Sequence, residues 1–131
     1  MSDLDRTLLD LAAAAAELSY SPYSGFRVGA AIVTDAGDVV SGANIENAAY
    51  GASVCAETNA ITSAAAGGAR RIDVVAVVCL DGDLCTPCGN CRQVMREFGV
   101  KRVVMRTAEG GSRSVPLEDL LPESFGPEAL S

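Results

Sequence analysis

The chain has 131 residues, 49% of them apolar, with 10 basic against 17 acidic side chains for a net charge of −7. That length fits one compact domain, residues 1–131, with a real core. The acidic balance and the lack of any basic run argue against a nucleic-acid polymer as partner, because such binding rests largely on Lys and Arg neutralising phosphates, so a small uncharged substrate is expected. The acidic start, Met1 to Asp5, lacks a basic n-region, and no apolar run approaches membrane-spanning length. The expectation is a cytoplasmic protein with no membrane association.

Leu4, Leu8, Leu11, Ala12, Ala15 and Leu18 recur at helical spacing and predict an amphipathic helix over 4–18. Tyr20-Ser21-Pro22-Tyr23-Ser24-Gly25 breaks it. Residues 26–34 and 38–43 read as strands joined by a hairpin at Asp35-Ala36-Gly37. Residues 44–54 form a polar, irregular loop. An Ala-rich helix over 55–66 stops at Gly67-Gly68. Residues 74–80 are almost wholly apolar, as a strand buried on both faces would be. Pro87 suits the first turn of a helix that runs to about Phe98 and ends at Gly99. A strand over 100–106, a short strand near 112–115, a short helix over 117–121 and a Pro- and Gly-rich tail complete the chain. The order predicts a mixed α/β sheet with parallel pairs and helices on both faces. Neither Gly67-Gly68 nor Gly110-Gly111 sits in a phosphate-loop pattern.

No histidine occurs anywhere. A Ser-His-Asp or Cys-His nucleophile system and a His-Glu-x-x-His metal helix are therefore excluded. Proton transfer near neutral pH is left to a carboxylate, thiol, lysine, tyrosine or metal-activated water. Five cysteines, three of them within seven residues, read as metal binding in a chain of this kind. Cys55-Ala56-Glu57 precedes Pro87-Cys88-Gly89-Asn90-Cys91 by about thirty residues. Three thiolates leave the fourth position of a tetrahedral zinc open, the mark of a catalytic site. A set of three cysteines with a nearby non-ligand Glu is a signature of zinc deaminases. Cys88 and Cys91 share a helix face. Cys55 starts another helix, and both N-termini favour thiolate over thiol. Glu57 is placed to move protons without coordinating. A ligand set of Cys85, Cys88 and Cys91 is conceivable, but Cys85 would have to fold back over the helix start. Cys79 reads as a small core residue in an apolar strand.

Asn44-Ile45-Glu46-Asn47-Ala48-Ala49-Tyr50, Cys55-Ala56-Glu57 and Pro87-Cys88-Gly89-Asn90-Cys91-Arg92-Gln93-Val94 together resemble the small cytidine deaminases. So do Tyr23 to Ala30 and Leu120 to Pro127, so that the likeness runs from about Tyr20 to Leu130. The resemblance implies a three-layer α-β-α cytidine-deaminase-like fold with a mixed five-stranded sheet. It implies zinc on Cys55, Cys88 and Cys91, with Glu57 as proton shuttle. The reaction implied is hydrolysis of cytidine and deoxycytidine to uridine and deoxyuridine with release of ammonia, in pyrimidine salvage. Asn44 and Glu46 would hold the sugar, Phe26 would pack on the nucleoside, and the Ala56 backbone would meet the base. The family is typically a homotetramer, and Tyr50 and Phe125 match positions that reach into a neighbouring subunit's site. Thr58 stands where the family usually has arginine. The offsetting charge is then left to Arg92 or to the helix dipoles. Other readings stay open at this point: deamination of a different aminated base or nucleoside, a noncatalytic zinc module, and a polynucleotide editor.

Overall fold

The computed structural model describes residues 1–131. Helix α1 spans Asp3–Ala16 and is capped by Ser2, whose hydroxyl accepts from the Asp5 amide. Strands β1 (Val28–Thr34) and β2 (Val39–Ala43) follow, then α2 (Ala56–Ala66), β3 (Ile72–Cys79) and α3 (Gly89–Glu97). β4 (Arg102–Arg106), β5 (Ser112–Pro116) and the short α4 (Leu117–Leu120) complete the order. The strands lie in the order β2-β1-β3-β4-β5. Only β3 and β4 pair in parallel, and the crossover between them is α3. No helix is long and apolar enough to cross a membrane.

Alternation along the strands separates two cores. Ala30 and Ile32 of β1, with Val75 and Val77 of β3, face α2 and α3. Ala31 and Val33, with Val74, Ala76 and Val78, face Leu8, Leu9 and Ala12 of α1. A strand that buries both faces needs apolar residues at every position. This is why Ile72–Cys79 reads as a nearly unbroken apolar run. The sheet thus forms the middle of three layers, as expected from the order of elements.

Two local expectations are corrected. The buried face of α1 is Asp5, Leu8, Leu9, Ala12, Ala15 and Ala16, while Leu4, Leu11 and Leu18 of the predicted stripe are 42, 40 and 79% exposed. The buried face is an apolar stripe of Leu8, Leu9, Ala12, Ala15 and Ala16, and Asp5 at its edge is met by Arg102 of β4 through bonds of 2.8 and 3.1 Å. The helix also ends before Leu18, at a C-cap on Glu17. Pro87 lies outside α3, since Cys88 is extended and serves as its N-cap. The loop over 44–54 is more ordered than its polarity suggests, because Ile45 bridges both Tyr20 and Val54.

The Asp5–Arg102 pair gives a stability prediction. Hydrogen bonds from Arg102 hold the Asp5 carboxyl below its ordinary value of 3.8. A depressed folded-state value stabilises fully above the unfolded value, and the benefit is lost as pH falls through the folded one. Asp5→Asn should therefore cost about 2 kcal/mol at pH 7. The melting temperatures of variant and wild type should converge as pH drops below about 4. A gap that persists undiminished at low pH would assign the effect to packing instead.

Candidate active site

Helices α2 and α3 lie on the same face of the sheet and bring their N-termini together. Cys55 is the N-cap of α2 and Cys88 the N-cap of α3, both in extended conformation. Cys91 is the third residue of α3 and is fully buried. The three sulfurs lie within 4.8 Å of one another, and the Sγ atoms of Cys55 and Cys88 are 3.8 Å apart. Tetrahedral ligands at the usual zinc–sulfur distance of about 2.3 Å sit about 3.8 Å from each other. The donor set and its spacing therefore fit zinc. Two helix N-termini also supply the positive potential that a cluster of thiolates needs. Cys85 lies outside this cluster, in contact with Cys79, and burial pushes its thiol up to about 12.

Glu57, second in α2, is 4% exposed and forms no ion pair with a Lys or Arg. Burial pushes its carboxyl up from the ordinary value of 4.5, opposed by contacts with its own backbone amide and the Cys91 thiol. A carboxyl moved toward neutrality is suited to taking and returning a proton.

Above these groups opens a cavity of about 490 Å³. Its apolar wall is Phe26, Val28 and Ala56, and its polar groups include Ser24, Asn44, Glu46 and Glu57. Such a volume, mostly apolar with a few directed polar groups, is typical of a small-molecule site. A second cavity of about 350 Å³ adjoins it, sharing Ser24 and Glu46 and adding Tyr23, Tyr50 and Ser53.

Asn44 and Glu46 are held in place by the protein itself. Asn44 Oδ1 accepts from the Val28 amide and the Ser19 hydroxyl, and Nδ2 donates to Phe26 O. Glu46 Oε1 accepts from the amides of Tyr23 and Ser24, and Oε2 accepts from the Ser24 hydroxyl. Those bonds, that of the Ser24 hydroxyl first, hold the Glu46 carboxyl below its ordinary value. Both side chains line the cavity, and each keeps hydrogen-bonding capacity beyond these bonds. Both are thus oriented before any ligand arrives.

Phe26 is 41% exposed, with its ring edge against Gly82. The loop carrying Gly82 is tied down by Arg27, whose guanidinium grips Asp81 at 3.0 Å through both Nε and Nη2. Tyr50 and Phe125 do not line the three-thiol cavity. Tyr50 is 75% exposed and meets Tyr23 edge-on, with ring centres 5.9 Å apart. Phe125 is 52% exposed, and its carbonyl accepts from Gln93 Nε2 on α3. The Arg92 guanidinium donates to the carbonyls of Pro87 and Leu120 rather than to any sulfur. Sequence reasoning missed Ser24 and the Arg27–Asp81 clamp. The sequence signs of Ser24 were its place in the family-like stretch Tyr23 to Ala30 and before Gly25, whose φ of 68° makes the turn.

Comparison with known proteins agrees with this geometry. The family model for the cytidine and deoxycytidylate deaminase zinc-binding region matches residues 2–107. Cytidine deaminase from Halalkalibacterium halodurans is 40% identical over 131 residues, covering 98% of this chain and 99% of the relative. Cytidine deaminase from Mycobacterium tuberculosis is 40% identical over 133 residues, covering 99% and 96% respectively. The crystal structure of cytidine deaminase from Burkholderia pseudomallei superposes with a TM-score of 0.86 at 44% identity, covering 95% of this chain and 100% of that one. Residues 2–107 take in all three clustered thiols and Glu57, and the chain belongs to the family of zinc-binding cytidine and deoxycytidylate deaminases.

Proposed function

We propose that this protein hydrolyses cytidine and deoxycytidine to uridine and deoxyuridine, releasing ammonia, as a step of pyrimidine salvage. The observation that carries the reading is the buried Glu57 beside three clustered thiols at the base of the apolar cavity. Cys55, Cys88 and Cys91 would hold zinc. When bound, zinc supplies a Lewis acid that makes water acidic enough to attack at neutral pH. Glu57 accepts the proton from the attacking water at a carboxylate oxygen. Oxygen adds at C4 of the base as Glu57 delivers that proton to N3; Glu57 then carries the proton of the added hydroxyl to the amino nitrogen, the C4–N bond breaks, the C4 carbonyl forms and ammonia leaves. Phe26 stacks on the nucleoside, and the Ala56 backbone meets the base edge. The remaining hydrogen-bonding capacity of Asn44 and Glu46 takes the sugar hydroxyls, which favours a nucleoside over a free base.

The same reading takes the protein as a cytoplasmic homotetramer in which Tyr50 and Phe125 of one subunit complete a neighbour's site. Their high exposure in the single chain is what supports that assignment.

The test is the near-ultraviolet absorbance of cytidine mixed with the zinc-loaded protein, with ammonia measured in parallel. Deoxycytidine, cytosine and adenosine serve as alternatives. Loss of the cytidine signal with stoichiometric ammonia is expected, and little change with cytosine. No turnover of cytidine by a zinc-replete protein would refute the reading. Phe26→Ala should raise KM by about tenfold, with kcat nearly unchanged, because it removes binding common to the ground and transition states. A fall confined to kcat would give Phe26 a different task.

A further inference from the structure

Thr58 follows Glu57 on α2 and performs no role in the mechanism above. A threonine inside a helix ordinarily donates its hydroxyl to the carbonyl four residues back. Thr62 does this, reaching Thr58 O at 2.7 Å. Thr58 does not. The carbonyl four residues before it, on Val54, accepts from the Ile45 amide at 3.0 Å. The Thr58 hydroxyl turns instead across to α3, where Oγ1 lies 3.3 Å from Cys91 Sγ.

Of the three clustered thiols, Cys91 has the greatest need of such a partner. Cys55 and Cys88 are N-caps with part of their surface open, Cys88 being exposed to water. Cys91 lies inside the first turn of α3 with no exposed surface. Arg92, next in sequence, is engaged by two carbonyls. A thiolate has no proton to give, so a metal-bound Cys91 fixes the direction of the bond with Thr58 as donor.

We propose that Thr58 is a positioning residue for the metal centre, donating through Oγ1 to the Cys91 thiolate. This inference rests on the zinc reading above. The bond orients the sulfur and draws off part of its charge. Outer hydrogen bonds of this kind typically alter metal affinity 10–100-fold when removed.

The experiment measures metal binding, not turnover. Thr58→Val removes the hydroxyl and keeps the shape, Thr58→Ala removes it without branching, and Thr58→Ser keeps it. Zinc affinity is read by competition with a chromophoric chelator, and the thiolate-to-metal charge-transfer band is read on the cobalt(II)-loaded protein. The expected result is a loss of about tenfold in zinc affinity in the valine and alanine variants. Their cobalt band should move to lower energy, and the serine variant should match wild type in both readouts. Wild-type affinity and an unmoved band in either variant lacking the hydroxyl would overturn the proposal. So would a serine variant as impaired as the alanine one. Failure of the wild-type chain to bind either metal would overturn the zinc reading itself, which separates the two failures.

Discussion

Glu57→Gln should reduce kcat for cytidine by about a thousandfold while leaving zinc content and melting temperature close to wild type. Glutamine has the same shape and fills the same buried space, so the cavity keeps its walls. What it lacks is a site for a proton. Two proton relays pass through the Glu57 carboxyl in the proposed reaction, from water to the ring nitrogen and from the added hydroxyl to the departing nitrogen. The chain offers no histidine to take over either. No lysine or arginine pairs with Glu57 to fix its charge. Burial instead lifts the carboxyl toward the range where it can both accept and donate. The effect should therefore lie in kcat, with KM altered little, because nucleoside binding is assigned to Phe26, Asn44 and Glu46. The check is steady-state kinetics together with metal analysis of the same preparation. A variant that retains kcat within about tenfold of wild type would remove Glu57 from the proton path.

Gly29→Ala should destabilise the fold by about 3 kcal/mol, lowering the melting temperature by about 10 °C. A methyl group built on Gly29 would stand 1.9 Å from Ala12 O and 2.5 Å from Ala16 N, both backbone atoms of α1. Backbone cannot swing aside as a side chain can, so α1 must lift from β1 or the strand must buckle. Gly42 makes the matching approach on the other face. Its added methyl would meet Ala60 N at 2.7 Å and Ala56 O at 3.0 Å. These atoms belong to α2, the helix that carries Glu57 and starts at Cys55. Gly42→Ala should therefore cost less stability, about 2 kcal/mol, but also lower kcat by about tenfold or more through displacement of the site. Thermal melts and kinetics on the two variants separate the faces. Equal kinetic damage from Gly29→Ala would show that the two layers are not mechanically independent.

What could be read from the amino-acid order depended on the range of each interaction. Strand β3 and helix α2 were visible because burial on both faces and an Ala-rich run stopped by glycine are local signals. The gathering of Cys55, Cys88 and Cys91 was visible because ligand chemistry restricts which residues can share a metal. The burial of Asp5 on α1 was not visible, since its partner Arg102 lies far down the chain. Nor was Cys88 as a helix cap, because Pro87 is compatible with positions on either side of a helix start. Asn44 and Glu46 were legible as site residues only through the family motif that contains them, since an Asn and a Glu in a polar loop otherwise read as solvated. Their internal bonds to Ser19, Ser24 and Val28 needed the fold, since each joins segments distant in sequence. The turning of Thr58 toward Cys91 is of the same kind: it joins α2 to α3 across 33 residues.

The pair between Asp5 and Arg102 spans 97 residues, and this distance bears on how the molecule is made. A ribosome adding about 5–20 residues per second exposes Arg102 roughly 5–20 s after Asp5. During that interval Leu8, Leu9 and Ala12 can meet Ala31 and Val33 of β1 but still lack Val74, Ala76 and Val78 of β3 and Val104 of β4. A 14-residue helix in isolation is only marginally formed in water. Helix α1 is thus secured in steps, on β1 first and on β3 and β4 only later. Part of its apolar side remains open to chaperones, or to other nascent copies, until those later strands emerge.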